Sequence, residues 1–155
     1  MNPKTVVLAS DHAGYLLKNA LLGYLASEGY SVVDAGTDST ESCDYPVYAE
    51  KACRILLAGD ADLALLVCGT GVGMSLAANK IPGIRAACCS DVYTAKFTRL
   101  HNNANALCIG ARVLGEGLAR EIADIFVSTE FEGGKHERRV DMIRTLEAGG
   151  TLLEL

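Results

Sequence analysis

A thiol stands where an apolar run meets a glycine-rich turn, in Leu65-Leu66-Val67-Cys68-Gly69-Thr70-Gly71-Val72-Gly73-Met74-Ser75. The run would deliver Cys68 at the end of a buried strand, and the glycines at 69, 71 and 73 let backbone approach a ligand and enter a helix N-terminus. N–H groups in such a loop can hold an anion or a developing oxyanion, and a thiol beside them is favoured as thiolate, the form that acts as a base. Other readings compete. A dinucleotide fingerprint needs glycine where this chain has Met74, and it follows the first strand rather than the third. A P-loop needs Gly-Lys-Ser/Thr at a place where none stands. A tight strand-to-helix turn without chemistry stays open on spacing alone.

Three further groups are candidates. In Ser10-Asp11-His12-Ala13-Gly14, a histidine beside an aspartate at a helix N-terminus can hold phosphate or move protons, although a polar surface loop has the same composition. His101-Asn102 carries the same two readings. Lys135-His136-Glu137-Arg138-Arg139 is a compact basic group opening the last helix. Most of its charges fit a solvated face, but Lys135 and Arg139 are four apart and can turn toward one phosphate. Cys43, Cys53, Cys68, Cys88, Cys89 and Cys108 show no CxxC and no paired metal-ligand spacing, so buried, reduced thiols are the default for all six, a default that Cys68 must overcome.

These groups must be positioned by an α/β fold. Short apolar runs at Thr5–Ala9, Tyr30–Asp34, Leu63–Val67, Arg85–Cys88 and Ala106–Ile109 alternate with segments of helical period, the pattern of parallel strands joined by crossover helices. Helices are predicted from about Gly14 to Ser27, over Tyr45–Leu57, from Gly71 to before Pro82, from a cap at Ser90 or Asp91 to about Leu100, over Gly115–Val127 and over Glu137–Leu146. Ligands of open parallel sheets bind beyond the carboxyl ends of the strands. That rule selects the loops after Ala9, Val67 and Ile109, the last carrying Gly110-Ala111-Arg112.

The chain of 155 residues is the size of one domain, expected over 1–150 with a loose tail at 151–155. A net charge of −5 opposes nucleic acid as a partner, because duplex binding relies on clustered cations. No apolar run is long enough to span a bilayer and no export signal is recognised, so the expected place is the cytoplasm, with no membrane partner.

Taken in order, these residues resemble the type B ribose-5-phosphate isomerases and the related galactose-6-phosphate isomerases. The resemblance runs from Ser10-Asp11-His12-Ala13-Gly14 through Asp44-Tyr45-Pro46, the Cys68–Gly73 loop, Ala77-Ala78-Asn79-Lys80, Gly83-Ile84-Arg85-Ala86, His101-Asn102 and Gly110-Ala111-Arg112-Val113 to Glu132-Gly133-Gly134-Lys135-His136. It implies a Rossmann-like three-layer sandwich with a five-stranded parallel sheet, no metal and no organic cofactor. It also implies a homodimer with shared active sites, leaving further pairing to a tetramer open. Cys68 matches the base of the cysteine-containing branch; other branches place a carboxylate a few residues later, where Val72, Gly73 and Met74 stand. His101 matches the histidine linked to opening the furanose ring, and Asp11 an aspartate near the ring oxygen and hydroxyls. His12, Arg112 and Arg139 match binders of phosphate or hydroxyls, and Asn102 lies close to the sugar. Tyr45 and the loop residues Gly69, Thr70, Gly71, Val72 and Gly73 complete the expected substrate contacts. Lys135 stands where many members have arginine, replacing a bidentate fork with a point charge.

The implied reaction is aldose–ketose isomerisation of a sugar phosphate, ribose 5-phosphate to ribulose 5-phosphate, through an enediolate. Cys68 takes the proton from C2, loop amides hold the enediolate oxygen, and Thr70 relays protons between O1 and O2. The alternative is a four- or six-carbon aldose phosphate. Behind these stand a dinucleotide-binding reductase and a non-catalytic sugar-phosphate binding protein. Because His101 precedes the fifth strand while Cys68 follows the third, the two should lie toward opposite ends of one sheet. The resembling family resolves such a separation with sites shared between two subunits, and the same is expected here.

Overall fold

The computed structural model describes residues 3–153. Five parallel strands, β1 (Thr5–Ser10), β2 (Ser31–Asp34), β3 (Leu63–Cys68), β4 (Ala86–Cys88) and β5 (Ala106–Gly110), lie in the order β2-β1-β3-β5-β4. The helices are α1 (Tyr15–Ser27), α2 (Tyr45–Leu57), α3 (Val72–Ala78), α4 (Val92–Asn102), α5 (Glu116–Ser128) and α6 (Lys135–Glu147). This is the expected α/β three-layer arrangement.

Strand alternation builds both cores. Val6 and Leu8 of β1, Leu65 and Val67 of β3, and Leu107 and Ile109 of β5 face Leu17, Leu21 and Leu25 of α1 and Ile122 and Phe126 of α5. The intervening residues, Val7 and Ala9, Ala64, Leu66 and Cys68, and Ala106 and Cys108, face Ala49, Ala52, Cys53 and Leu56 of α2 and Met74 and Ala78 of α3. Strands covered on both faces read as unbroken apolar runs, which is why β1, β3 and β5 were legible. Small residues line the second face, so α2 and α3 can lie close to the sheet around Cys68.

The chain leaves β1 toward β2 on one side and returns past β1 to β3 on the other, so the strand order switches direction between β1 and β3. Such a switch point opens a crevice beyond the carboxyl ends of the two strands. The loops that follow them carry Asp11 and Cys68.

Three boundaries differ from expectation for local reasons. Helix α3 stops at Ala78 rather than near Pro82, because Asn79 turns to β4: its Oδ1 accepts from Ala86 N–H (2.8 Å) and its Nδ2 donates to Ala86 O (2.9 Å). Helix α4, capped by the Asp91 carboxylate accepting from Thr94 N–H, continues past Leu100 through His101 and Asn102 to a left-handed Asn103. Helix α6 starts at Lys135, two residues before the expected Glu137, after Gly133 and Gly134 turn the chain with positive φ. Of the expected tail, Thr151–Leu153 lie outside any helix or strand, and residues 154 and 155 lie outside the described residues.

Candidate active site

Cys68 is the last residue of β3, paired in register with Gly110 of β5 and 4% exposed. The turn after it brings the N–H of Gly71 onto the thiol, 3.1 Å from Sγ. Gly71 reaches this position with φ +80, and a Cβ there would lie 2.9 Å from the carbonyl carbon of Ile109. Only glycine fits that backbone without strain. Thr70 Oγ1 accepts from Val72 N–H at 3.2 Å, which leaves its own hydrogen free to donate outward.

The loop after β1 packs against the same strand end. Asp11 N–H donates to Val67 O (3.2 Å), and Gly14 comes so close that a Cβ would stand 2.4 Å from that oxygen. Asp11 is buried, its Oδ1 accepting from Gly14 N–H at 3.1 Å. His12 accepts from Cys43 N–H through Nδ1 at 3.2 Å, so its Nε2 is left as the donor. The Tyr45 ring lies over Gly73, and the Arg112 guanidinium lies over Gly69, whose carbonyl also accepts from Arg112 N–H. Asp11, His12, Tyr45, Cys68, Thr70 and Arg112 thus gather with the 69–73 loop at the carboxyl edge of the sheet.

The remaining candidates do not join them. His101 and Asn102 end α4, and Arg85, just before β4, donates through Nε to the carbonyls of Asn102 and Asn103 at 3.2 and 3.0 Å. The end of α4 is therefore tied to the amino edge of the sheet, opposite Cys68. Lys135 and Arg139 lie with it, because α6 packs on α4. Both are exposed on one face of α6, and among the described residues neither forms an ion pair.

Spacing missed three partners of His101. The rings of His101 and His136 stack with centroids 4.0 Å apart and planes 8° apart, and Phe97 meets His101 edge-on at 5.0 Å. Glu132 places Oε2 3.6 Å from Nε2 of each histidine. Burial, and then the neighbouring His101, hold the His136 imidazole below its ordinary value, while Glu132 pulls the other way. The four-residue step from Glu132 to His136 was a visible hint, but the stack on another helix was not. These three side chains bring donor atoms within 4.8 Å of one another. A metal–imidazole bond of about 2 Å lies in the ring plane. One ion cannot lie in two stacked, near-parallel planes, so the arrangement is a histidine pair against a carboxylate and not a chelate.

Lys18, which spacing placed on a helix and assigned no role, is fully buried. Its Nζ donates to Asp34 Oδ1 (2.6 Å) and Thr37 O (2.7 Å), while Ser10 N–H donates to Gly36 O and Thr37 N–H to Ser10 O. The buried cation pins segment 34–37 against the residue that precedes Asp11. One concavity of about 580 Å³ lies beside edge strand β4, between Arg85, Asn102 and Ile143, and another of about 440 Å³ runs along α4 from Cys88, whose sulfur packs on the Gly71 turn, to His101.

Residues 6–143 match the sequence model of the family described as Ribose/Galactose Isomerase. The chain belongs to that family. It is 43% identical over 144 residues to the ribose-5-phosphate isomerase B of Escherichia coli K12, covering 93% of this chain and 97% of that one. It is 40% identical over 140 residues to the D-erythrulose-4-phosphate isomerase of Pectobacterium atrosepticum, covering 90% and 92%. The solved structure of Clostridium thermocellum ribose-5-phosphate isomerase B matches with a TM-score of 0.92 at 44% identity, over 94% of this chain and 98% of that one. Ribose/galactose isomerase family membership thus rests on the whole domain, not on one loop.

Proposed function

We infer that this chain is an aldose–ketose isomerase of sugar phosphates that interconverts ribose 5-phosphate and ribulose 5-phosphate, with Cys68 as its base. The observation that carries the reading is the Cys68 sulfur at the switch point, facing the Gly71 N–H. On the open-chain aldose, the Cys68 thiolate removes the C2 proton, and the electron pair moves into a C1–C2 double bond as the C1 carbonyl becomes the enediolate oxygen. Loop N–H groups at 69–73 stabilise that oxygen. The Thr70 hydroxyl, with its hydrogen free, moves the proton between O2 and O1. The Cys68 thiol then returns its proton to C1, and the ketose forms with no net redox change.

His12 through Nε2, with Arg112, Lys135 and Arg139, supplies donors and positive charge to the phosphate and hydroxyls. Asp11 accepts from sugar hydroxyls near the ring oxygen, with Asn102 and Tyr45 beside the sugar. His101 opens the furanose, giving a proton to the ring oxygen as the anomeric hydroxyl loses one. These contacts need the amino-edge group of one chain to meet the carboxyl-edge group of another, hence a homodimer with shared sites. The six free thiols support a reducing compartment, the cytoplasm.

A four-carbon substrate is the second reading, favoured by the Pectobacterium relative. The deciding measurement compares kcat/KM across four-, five- and six-carbon aldose phosphates, since discrimination is a difference in transition-state binding. Ribose 5-phosphate is expected to lead. A higher value for a four-carbon sugar reassigns the substrate, and turnover of none overturns the isomerase reading.

A further inference from the structure

We propose that Glu132 and His136 are positioning residues for His101, clamping its imidazole on one face and at one nitrogen so that the ring meets the closed sugar in a single orientation. This rests on the ring-opening role given to His101 above. A histidine in the last turn of a helix, half exposed as His101 is, would otherwise turn about two side-chain bonds. Here three groups remove that freedom. His136 stacks flat on the ring at 4.0 Å, Phe97 meets it edge-on at 5.0 Å, and Glu132 Oε2 stands 3.6 Å from Nε2.

The clamp is itself anchored. Glu132 N–H donates to Leu100 O (3.1 Å), tying the segment before α6 to the last turn of α4 beside His101. His136 is buried and fixed in the first turn of α6, its N–H donating to Gly133 O (3.1 Å). Two imidazolium rings cannot stack face to face without repulsion. Burial, and then the neighbouring His101, hold the His136 imidazole below its ordinary value, so the stack favours a proton on His101 over one on each ring. The carboxylate of Glu132 then supports that charge at one end of the ring, and the proton passes to the sugar from the clamped ring.

The test measures both directions of the reaction for Glu132→Gln and His136→Ala. Ribose 5-phosphate enters as a closed ring, whereas ribulose 5-phosphate cannot close to a furanose. Each variant is expected to lose about 10²-fold in aldose-direction kcat, the scale of a 1 Å misplacement. KM should stay near wild type, because Lys135 and Arg139 remain, and the ketose direction should be spared. Glu132→Asp should recover part of the loss. In a His101→Asn background neither change should cost anything further, since both act through that ring. Equal losses in both directions, a rise in KM alone, or an additional loss in the His101→Asn background would each overturn the positioning role. If His136→Ala does not fold, the exposed Glu132→Gln still decides the question. An inert wild type on every sugar phosphate would instead refute the isomerase reading, so the two failures are distinguishable.

Discussion

Cys68 sits among thiols whose surroundings differ from its own. Burial pushes Cys108 well above the ordinary value, raises Cys88 and Cys89, and takes Cys53 from 9.0 to about 11. Among the described residues, Cys68 alone of these thiols receives a backbone N–H on its sulfur, from Gly71. Cys68→Ala should therefore lower kcat by about 10²–10⁴, the usual worth of a general base, while isothermal titration finds sugar-phosphate affinity largely intact. A near-normal kcat on open-chain substrate would remove Cys68 from the mechanism. Cys53 supports a separate prediction about stability. Its thiol stays protonated in the folded chain up to about pH 11, whereas an unfolded chain releases the proton from about 9.0. Across that window the unfolded state binds fewer protons, so stability present below pH 9 falls as pH rises. Thermal melts should show Cys53→Ala losing less Tm between pH 9 and 11 than the parent.

At the scale of elements, loop 10–14 depends on a buried cation one turn into α1. Asp34→Ala would leave Lys18 with one carbonyl partner. Breaking a buried pair costs about 3–5 kcal/mol, and because Asp34 is half exposed the expected loss is about 1–3 kcal/mol by denaturant titration. KM should rise with it, because segment 34–37 braces Ser10 beside Asp11. An unchanged KM would separate this brace from substrate binding. Lys18 also shows where sequence reading reaches its limit. Alternation and helical stripes are local, so the five strands, the helices and the Lys135–Arg139 pair could be read from spacing. The burial of Lys18 and the His101–His136 stack join residues on different elements, and the early stop of α3 follows from the Asn79 side chain pairing with β4. Topology creates those contacts, and periodicity carries no signal of them. The loop residues around Cys68 were legible because a strand end and its glycines are contiguous.

In the whole molecule, the candidate residues divide into two groups at opposite edges of one sheet. Cys68, Thr70, Asp11, His12, Tyr45 and Arg112 lie where β1, β3 and β5 end. His101, Asn102, Lys135 and Arg139 lie where α4 and α6 meet the amino edge, held there by Arg85. Cys68 and His101 of one chain, at opposite edges of the sheet, cannot both act on one five-carbon sugar. Either the amino-edge group takes no part, or a second copy brings it across. A two-fold pair offers every patch twice, so each of two sites would receive Cys68 from one protomer and His101 from its partner. Mixing inactive Cys68→Ala and His101→Asn proteins, under conditions that exchange subunits, tests this directly. In a mixed dimer one site carries both defects and the other neither, so ribose 5-phosphate turnover should return toward one working site per mixed dimer. If both residues served one site from the same chain, every site would keep a defect. Exchange confirmed by differently tagged subunits, with no activity recovered, would reject the shared site.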